Sequence, residues 1–140
     1  MSLMSTNVVT KNDSSIKERW PGAELKLTLL ATWPDRSTQP AVQAHVSLLP
    51  PLPPPPIRCE FRGAPRANAL AKSSSWVTSR SPLESLMRSG SPKINEFLLV
   101  GDSGSVPEGS QTNFYAVMNG VLHTAGEGVL AGTVRRLLLE

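Results

Sequence analysis

The chain has 140 residues, about the length of one ordinary domain, and a formal net charge of +3. An apolar content of 39% with 13 prolines favours a loop-rich globular protein. The arginines are scattered rather than gathered into a basic stripe, so the composition does not indicate nucleic-acid binding. We expect no membrane span, because no stretch approaches the ~20 apolar residues that one needs.

The first half of the chain predicts a polar arm followed by two strands. Residues 1–20 are polar and lack the apolar core of a secretory signal, so they are interpreted as a flexible arm. Apolar and polar residues alternate over 24–33 and 41–50, which predicts a strand in each. Cys59 is the only cysteine, which excludes an internal disulfide and a zinc cluster within the chain.

A proline run at residues 50–56 favours extended polyproline II structure. Two interpretations stay open. The run is a stiff spacer between structural layers, or it is a ligand for an SH3-type domain with Arg58 as the flanking base. A spacer should be packed, whereas a ligand should lie free.

The second half predicts short strands and helices in alternation. The segment 57–63 alternates as a half-buried strand, with Ile57, Cys59 and Phe61 on the buried face. Residues 73–90 predict a serine-capped helix, interrupted or restarted at Pro82 and ended by Gly90. The remaining predictions are a strand at 94–101, a hairpin around Asn119–Gly120, and a helix after Gly132 whose apolar face holds Leu130, Val134, Leu137 and Leu138. The fold class is therefore α/β in the broad sense (α+β).

Three features of this half carry potential chemistry. Lys72 follows a small-residue connector, and a confined lysine amine can form an imine with an aldehyde. Glu108 lies on a Glu-Gly turn before a strand, where a carboxylate can face a cofactor ring nitrogen. Gly132, Thr133 and Val134 open a helix whose free N–H groups favour an anion such as a phosphate. In this order they are the parts that a pyridoxal-phosphate site requires.

The segment EGSQTNFYAVMNGVLHTAGEGVLAGTVRRLLLE resembles the class IV (fold type IV) pyridoxal-phosphate aminotransferases. That family shows Glu-Gly, three residues and Asn, then a hairpin, then a Leu-Pro-Gly-Ile-Thr-Arg helix start. The matching positions here are Glu108, Gly109, Asn113, Phe114, Gly120, Thr124, Leu130, Gly132 and Arg135. The sequence from Arg62 onward resembles most the plant branched-chain-aminotransferase-like branch of that family.

The resemblance implies a role for each matching residue. It makes Lys72 the Schiff-base lysine, Glu108 the partner of the pyridine nitrogen, and Asn113 and Gly132–Val134 parts of the cofactor site. It implies a fragment of the two-domain D-amino-acid/branched-chain aminotransferase-like fold. Residues 21–49 would be a remnant of the small domain, 50–56 the interdomain linker, and 57–140 the first part of the large cofactor-binding domain.

The implied activity is transfer of an amino group between an amino acid, such as a branched-chain one, and a 2-oxo acid. A complete relative would be a homodimer in the cytoplasm or a plastid. The sequence departs from the family pattern at Val77, where a tyrosine is usual, at Ala125, where a proline is usual, and at Thr133, where the helix-start threonine has moved by one place. A non-catalytic relative and a lyase on the same scaffold therefore remain alternatives.

Overall fold

The computed structural model describes residues 18–34 and 39–140, and over these residues the protein mixes α-helices with short strands. The coarse fold-class prediction is confirmed. Residues 1–17 of the predicted arm lie outside the described residues. The strands and helices are β1 (Leu25–Thr32), β2 (Ala41–Leu48), β3 (Cys59–Phe61), α1 (Ser75–Ser79), α2 (Ser81–Ser89), β4 (Glu96–Leu98), β5 (Ala116–Met118), β6 (Val121–His123) and α3 (Thr133–Leu139). The chain divides into two compact units between Leu52 and Pro53.

The first unit contains an antiparallel pair of strands, as the alternating pattern predicts. β1 and β2 pair from Leu25 opposite Leu48 to Thr32 opposite Ala41. Every residue of β1 is exposed, including Leu29 at 63%. Among the described residues the pair is therefore held by its backbone ladder and cross-strand contacts rather than by a covered apolar face.

The proline run is exposed along its whole length, and Leu52 within it is 91% exposed. The run crosses the boundary between the two units at Leu52 and Pro53, and the choice between a spacer and an SH3-type ligand stays a prediction.

The core of the second unit forms around β4. Phe97, Leu98 and Leu99 are 1%, 6% and 0% exposed. β3 runs parallel to β4 on one side, with Cys59 opposite Glu96. On the other side, the segment 108–110 bonds antiparallel to the strand through Leu99 N–H to Glu108 O at 2.9 Å and Ser110 N–H to Phe97 O at 2.8 Å. The segment that carries Glu108 is therefore fixed to the most buried strand.

The side assignment of the 57–63 strand was wrong. Only Cys59–Phe61 form a strand, and Phe61 and Ile57 are 67% and 52% exposed. Glu60 is the less exposed residue of β3, where it accepts from Arg58. The alternation is real, but no other described layer covers the apolar face of this short strand.

The predicted helix at 73–90 forms as two short helices that meet at Arg80. Pro82 lies in the first turn of α2, where its missing N–H costs nothing, so the predicted restart is confirmed. The predicted serine cap is not a side-chain cap, because the N-cap residue Ser74 makes no such hydrogen bond. Gly90 ends α2 in an extended rather than a left-handed conformation.

The hairpin prediction is confirmed. β5 and β6 pair antiparallel, with Met118 opposite Val121. Asn119 and Gly120 both have positive φ, 52° and 76°, as a two-residue type I′ turn requires.

The apolar residues of the last helix are exposed. Val134, Leu137 and Leu138 on α3 are 65%, 70% and 52% exposed, and the buried residue of the helix is Arg135. The Arg135 guanidinium donates to Thr124 Oγ1 at 2.8 Å and to Ala125 O. Polar bonds to the end of the hairpin, not the leucines, therefore dock α3.

Among the described residues no helix is long and apolar enough to cross a membrane.

Candidate functional site

The site is organised around the buried carboxylate of Glu108, whose residue is 3% exposed. Oε1 of Glu108 accepts from Arg66 Nε at 2.7 Å, and Oε2 accepts from the backbone N–H of Leu130 at 3.0 Å. The Arg66 and Glu108 side chains are 8% and 4% exposed, so the ion pair is shielded from water. Glu108 is therefore not a solvated residue of an exposed turn.

Arg66 also holds the connector that leads to Lys72. Its Nη2 donates to Ala69 O at 3.0 Å, and its Nη1 donates to Ala71 O at 3.5 Å. Its guanidinium carbon lies 5.8 Å from the centroid of the Trp76 ring, within the range of a cation–π contact. One arginine thus links Glu108, the residues just before Lys72, and helix α1.

Trp76, on α1, connects this helix to the same group of residues. Its indole Nε1 donates to the backbone oxygen of Ser110 at 2.9 Å. Because Ser110 is bonded to β4 and lies two residues after Glu108, this hydrogen bond fixes α1 to the Glu108 turn.

Lys72 lies at the end of the connector and is exposed. Within the described part of the chain its amine makes no hydrogen bond and no ion pair. A cavity of about 520 Å³ adjoins the connector. Its walls are residues 63–68 with Ser73, Ser75, Trp76, Ser79, Pro82 and Leu83. Lys72 and Glu108 do not line it, but Ser73, the neighbour of Lys72, and Arg66, the partner of Glu108, do.

Asn113 ties the Glu108 turn to the start of α3. Its Nδ2 donates to Leu130 O at 2.8 Å, while the N–H of the same Leu130 donates to Glu108. Gly132, the N-cap of α3, is packed so closely that a Cβ there would overlap Asn113 Oδ1. Asn113 and Gly132 are therefore brought together with Glu108, through Leu130.

Thr133 and Val134, the remaining predicted phosphate contacts, are exposed in the first turn of α3. The helix has seven residues, and its N-cap residue, Gly132, has no side chain with which to cap it. Glu108, Asn113 and Gly132 are linked through Leu130, whereas Lys72, Thr133 and Val134 are exposed.

Sequence reasoning missed Glu96, the second buried carboxylate. Residue Glu96 is 7% exposed, and its Oε1 accepts from Ser110 Oγ at 2.6 Å while Oε2 accepts from Thr112 Oγ1 at 2.9 Å. It shapes the turn after Glu108. An acid directly before the apolar run Phe97–Val100 is a signal that could have found it, since a charge at the edge of a buried strand requires partners.

Arg66 was also missed, and for a different reason. It is separated from Glu108 by 42 residues, so no local spacing connects the two. Nothing in the sequence around Arg66 indicates that this arginine, among several scattered ones, is buried.

The structure shows the surroundings of two of the three positions that depart from the family pattern, Val77 and Ala125. Val77 is 54% exposed on α1. Thr124 Oγ1 donates to Phe114 O at 2.9 Å and accepts from Arg135, next to Ala125. The Thr124–Ala125 step therefore serves as the docking point of α3.

No group of three His, Cys, Asp or Glu side chains in the described ranges is placed to hold a metal ion. No family model matches the sequence, and comparison with curated proteins gives no significant match.

Proposed function

We propose that the protein is a class IV aminotransferase-like polypeptide that binds pyridoxal 5'-phosphate and transfers an amino group between an amino acid and a 2-oxo acid. The observation that carries this proposal is the connection of three distant segments through one buried carboxylate. Glu108 bonds to Arg66, which holds the Lys72 connector, and to Leu130, which precedes α3.

The chemistry of the side chains present fits this cofactor. Lys72 offers an unengaged primary amine. Glu108 offers a carboxylate whose two oxygens each accept one hydrogen bond in the structure and retain a second lone pair. The neighbouring cavity of about 520 Å³ lies within the range of small-molecule sites.

Pyridoxal phosphate, when bound, would supply an electron sink for the charge that develops on the substrate α-carbon. Lys72 would hold the cofactor covalently, and its amine, once displaced by an amino acid, would move the α-proton. Glu108 would accept a hydrogen bond from the ring nitrogen and favour its protonated form. The resemblance assigns the phosphate to Gly132, Thr133 and Val134. Asn113 would hold the start of that helix in place through Leu130.

The test is an absorbance titration of the purified chain with pyridoxal phosphate, followed by borohydride reduction and peptide mapping. We expect a visible absorbance band and a stable label confined to Lys72. Lys72→Ala should lose both, and Lys93→Ala, which removes another exposed lysine, should keep both. A label distributed equally over the lysines would refute the proposal.

Activity assays then separate a transaminase from a lyase. A transaminase converts added 2-oxo acid to amino acid in the presence of an amino donor, whereas a lyase releases product without an acceptor. For an active relative we expect a homodimer located in the cytoplasm or a plastid. A non-catalytic relative would bind the cofactor at Lys72 without turnover.

A second candidate function has an observation of its own. The exposed proline run at residues 50–56 is free to be bound, as an SH3-type ligand must be. Titration of the chain with a panel of SH3 domains tests this. Binding that weakens on Arg58→Ala and not on Arg88→Ala would support it, and no binding across the panel would exclude it.

A further inference from the structure

Arg66 joins the Glu108 carboxylate to the connector that leads to Lys72. It makes an ion pair with Glu108 at 2.7 Å and donates to Ala69 O at 3.0 Å and Ala71 O at 3.5 Å. It also packs against the Trp76 ring. The Arg66 side chain is only 8% exposed, so its ion pair with Glu108 is shielded from competing water, whereas its bond to Ala71 O is exposed.

Only an arginine can make this set of contacts. The guanidinium holds five N–H donors in a fixed planar fork, so Nε can bond Glu108 while the two terminal nitrogens bond the connector. A lysine at this position would carry the same charge on one nitrogen. It could stay beside Glu108, but it would not reach the carboxylate and both carbonyls in the same geometry.

We propose that Arg66 is a positioning residue that fixes the Lys72 connector, residues 67–72, relative to the Glu108 carboxylate. Its consequence for chemistry rests on the proposed function, because a lysine and a carboxylate can serve one cofactor only if their separation is set. The clamp itself does not depend on that function and can be measured without any ligand.

Removing the guanidinium has two linked effects. Glu108 would remain buried without its countercharge, and the carbonyls of Ala69 and Ala71 would lose their donor. Both segments should then open together, although they are far apart in the sequence. A side chain that only fills space would not couple them in this way.

The first arm of the test is amide hydrogen exchange of the chain without cofactor. In Arg66→Ala we expect exchange about tenfold or more faster in peptides covering 67–72 and 108–111, the factor that a lost hydrogen bond to a charged group corresponds to. Arg88→Ala removes an arginine whose side chain is 68% exposed and should leave both peptides unchanged. Acceleration of only one peptide, or of neither, overturns the clamp.

The second arm is the borohydride label. If Arg66 positions the connector, Arg66→Ala should spread the label from Lys72 over the other lysines. Arg66→Lys should restore slow exchange at 108–111, since the charge beside Glu108 returns, but not at 67–72 and not the selectivity for Lys72. Full restoration of selectivity by lysine would show that charge alone suffices and would overturn the positioning role.

The two arms also separate this inference from the proposed function. Coupled opening in Arg66→Ala, with no selective labelling in the unmodified chain, would retain the clamp and reject the cofactor. Selective labelling of Lys72 that persists in Arg66→Ala would retain the cofactor and reject the clamp.

Discussion

Replacing Glu96 by alanine perturbs the turn that carries the site without touching any residue assigned to the cofactor. The Glu96 carboxylate accepts hydrogen bonds from the N–H groups of Phe97, Ser110 and Gln111 and from the hydroxyls of Ser110 and Thr112. No cation pairs with it among the described residues. The turn at 110–112 is therefore organised by one anion and its donors.

The structure sets the size of the effect. Ser110 N–H keeps a second acceptor, Phe97 O, and the donors on Gln111 and Thr112 are exposed, so water can replace the carboxylate there. The Phe97 N–H and the Ser110 hydroxyl belong to residues 1% and 2% exposed and would lose their acceptor. A buried donor left unpaired costs about 1–3 kcal/mol, so we expect Glu96→Ala to lower the free energy of unfolding by about 2–6 kcal/mol.

Urea unfolding followed by Trp76 fluorescence measures this loss, in a background where Trp20 and Trp33 are replaced by phenylalanine. Glu127→Ala, which removes an exposed carboxylate, is the matched control and should change the free energy by less than about 0.5 kcal/mol. A loss for Glu96→Ala no larger than that of the control would refute the reasoning, because it would mean that the buried donors find other partners.

Two further predictions concern α3. Gly132→Ala should destabilise the protein by about 1–3 kcal/mol, because its Cβ would overlap Asn113 Oδ1. Gly126→Ala is the control and should not destabilise it, because a Cβ there meets nothing within 4 Å. Equal thermal midpoints for the two variants would contradict the close packing at Gly132. Arg135→Ala should lower the free energy of unfolding by about 1–3 kcal/mol, because its hydrogen bonds are lost. Arg136→Ala, which replaces the exposed neighbour, should change that free energy little in the same urea titration. An equal effect of both substitutions would show that Arg135 does not dock the helix.

The elements that depend on local chemistry were predictable from the sequence. The Asn119–Gly120 turn forms as expected because its two residues tolerate positive φ, and β1 pairs with β2 as the alternating pattern implies. The restart of the helix at Pro82 follows from the missing N–H of proline.

The faces of the elements were not predictable in the same way. Apolar spacing predicted a half-buried strand with Phe61 on its apolar face, yet Phe61 is 67% exposed, and the buried residue of α3 is Arg135. Spacing shows which residues share a face, but the face that is buried depends on the partners available, and Arg135 finds two oxygen acceptors at the end of the hairpin.

The candidate site was predictable in part. The motifs singled out Glu108 and Gly132, the resemblance added Asn113, and these three residues are joined through Leu130. The Arg66–Glu108 ion pair could not be inferred, because it spans 42 residues and depends on tertiary folding.

The most direct test of the account is the fraction of reduced pyridoxyl label that is recovered on Lys72. We expect the label to map to Lys72 alone, to be abolished by Lys72→Ala and to be retained in Lys93→Ala. A label shared among the lysines in proportion to their exposure would contradict it, and would mean that the chain keeps the family's pattern of residues without its chemistry.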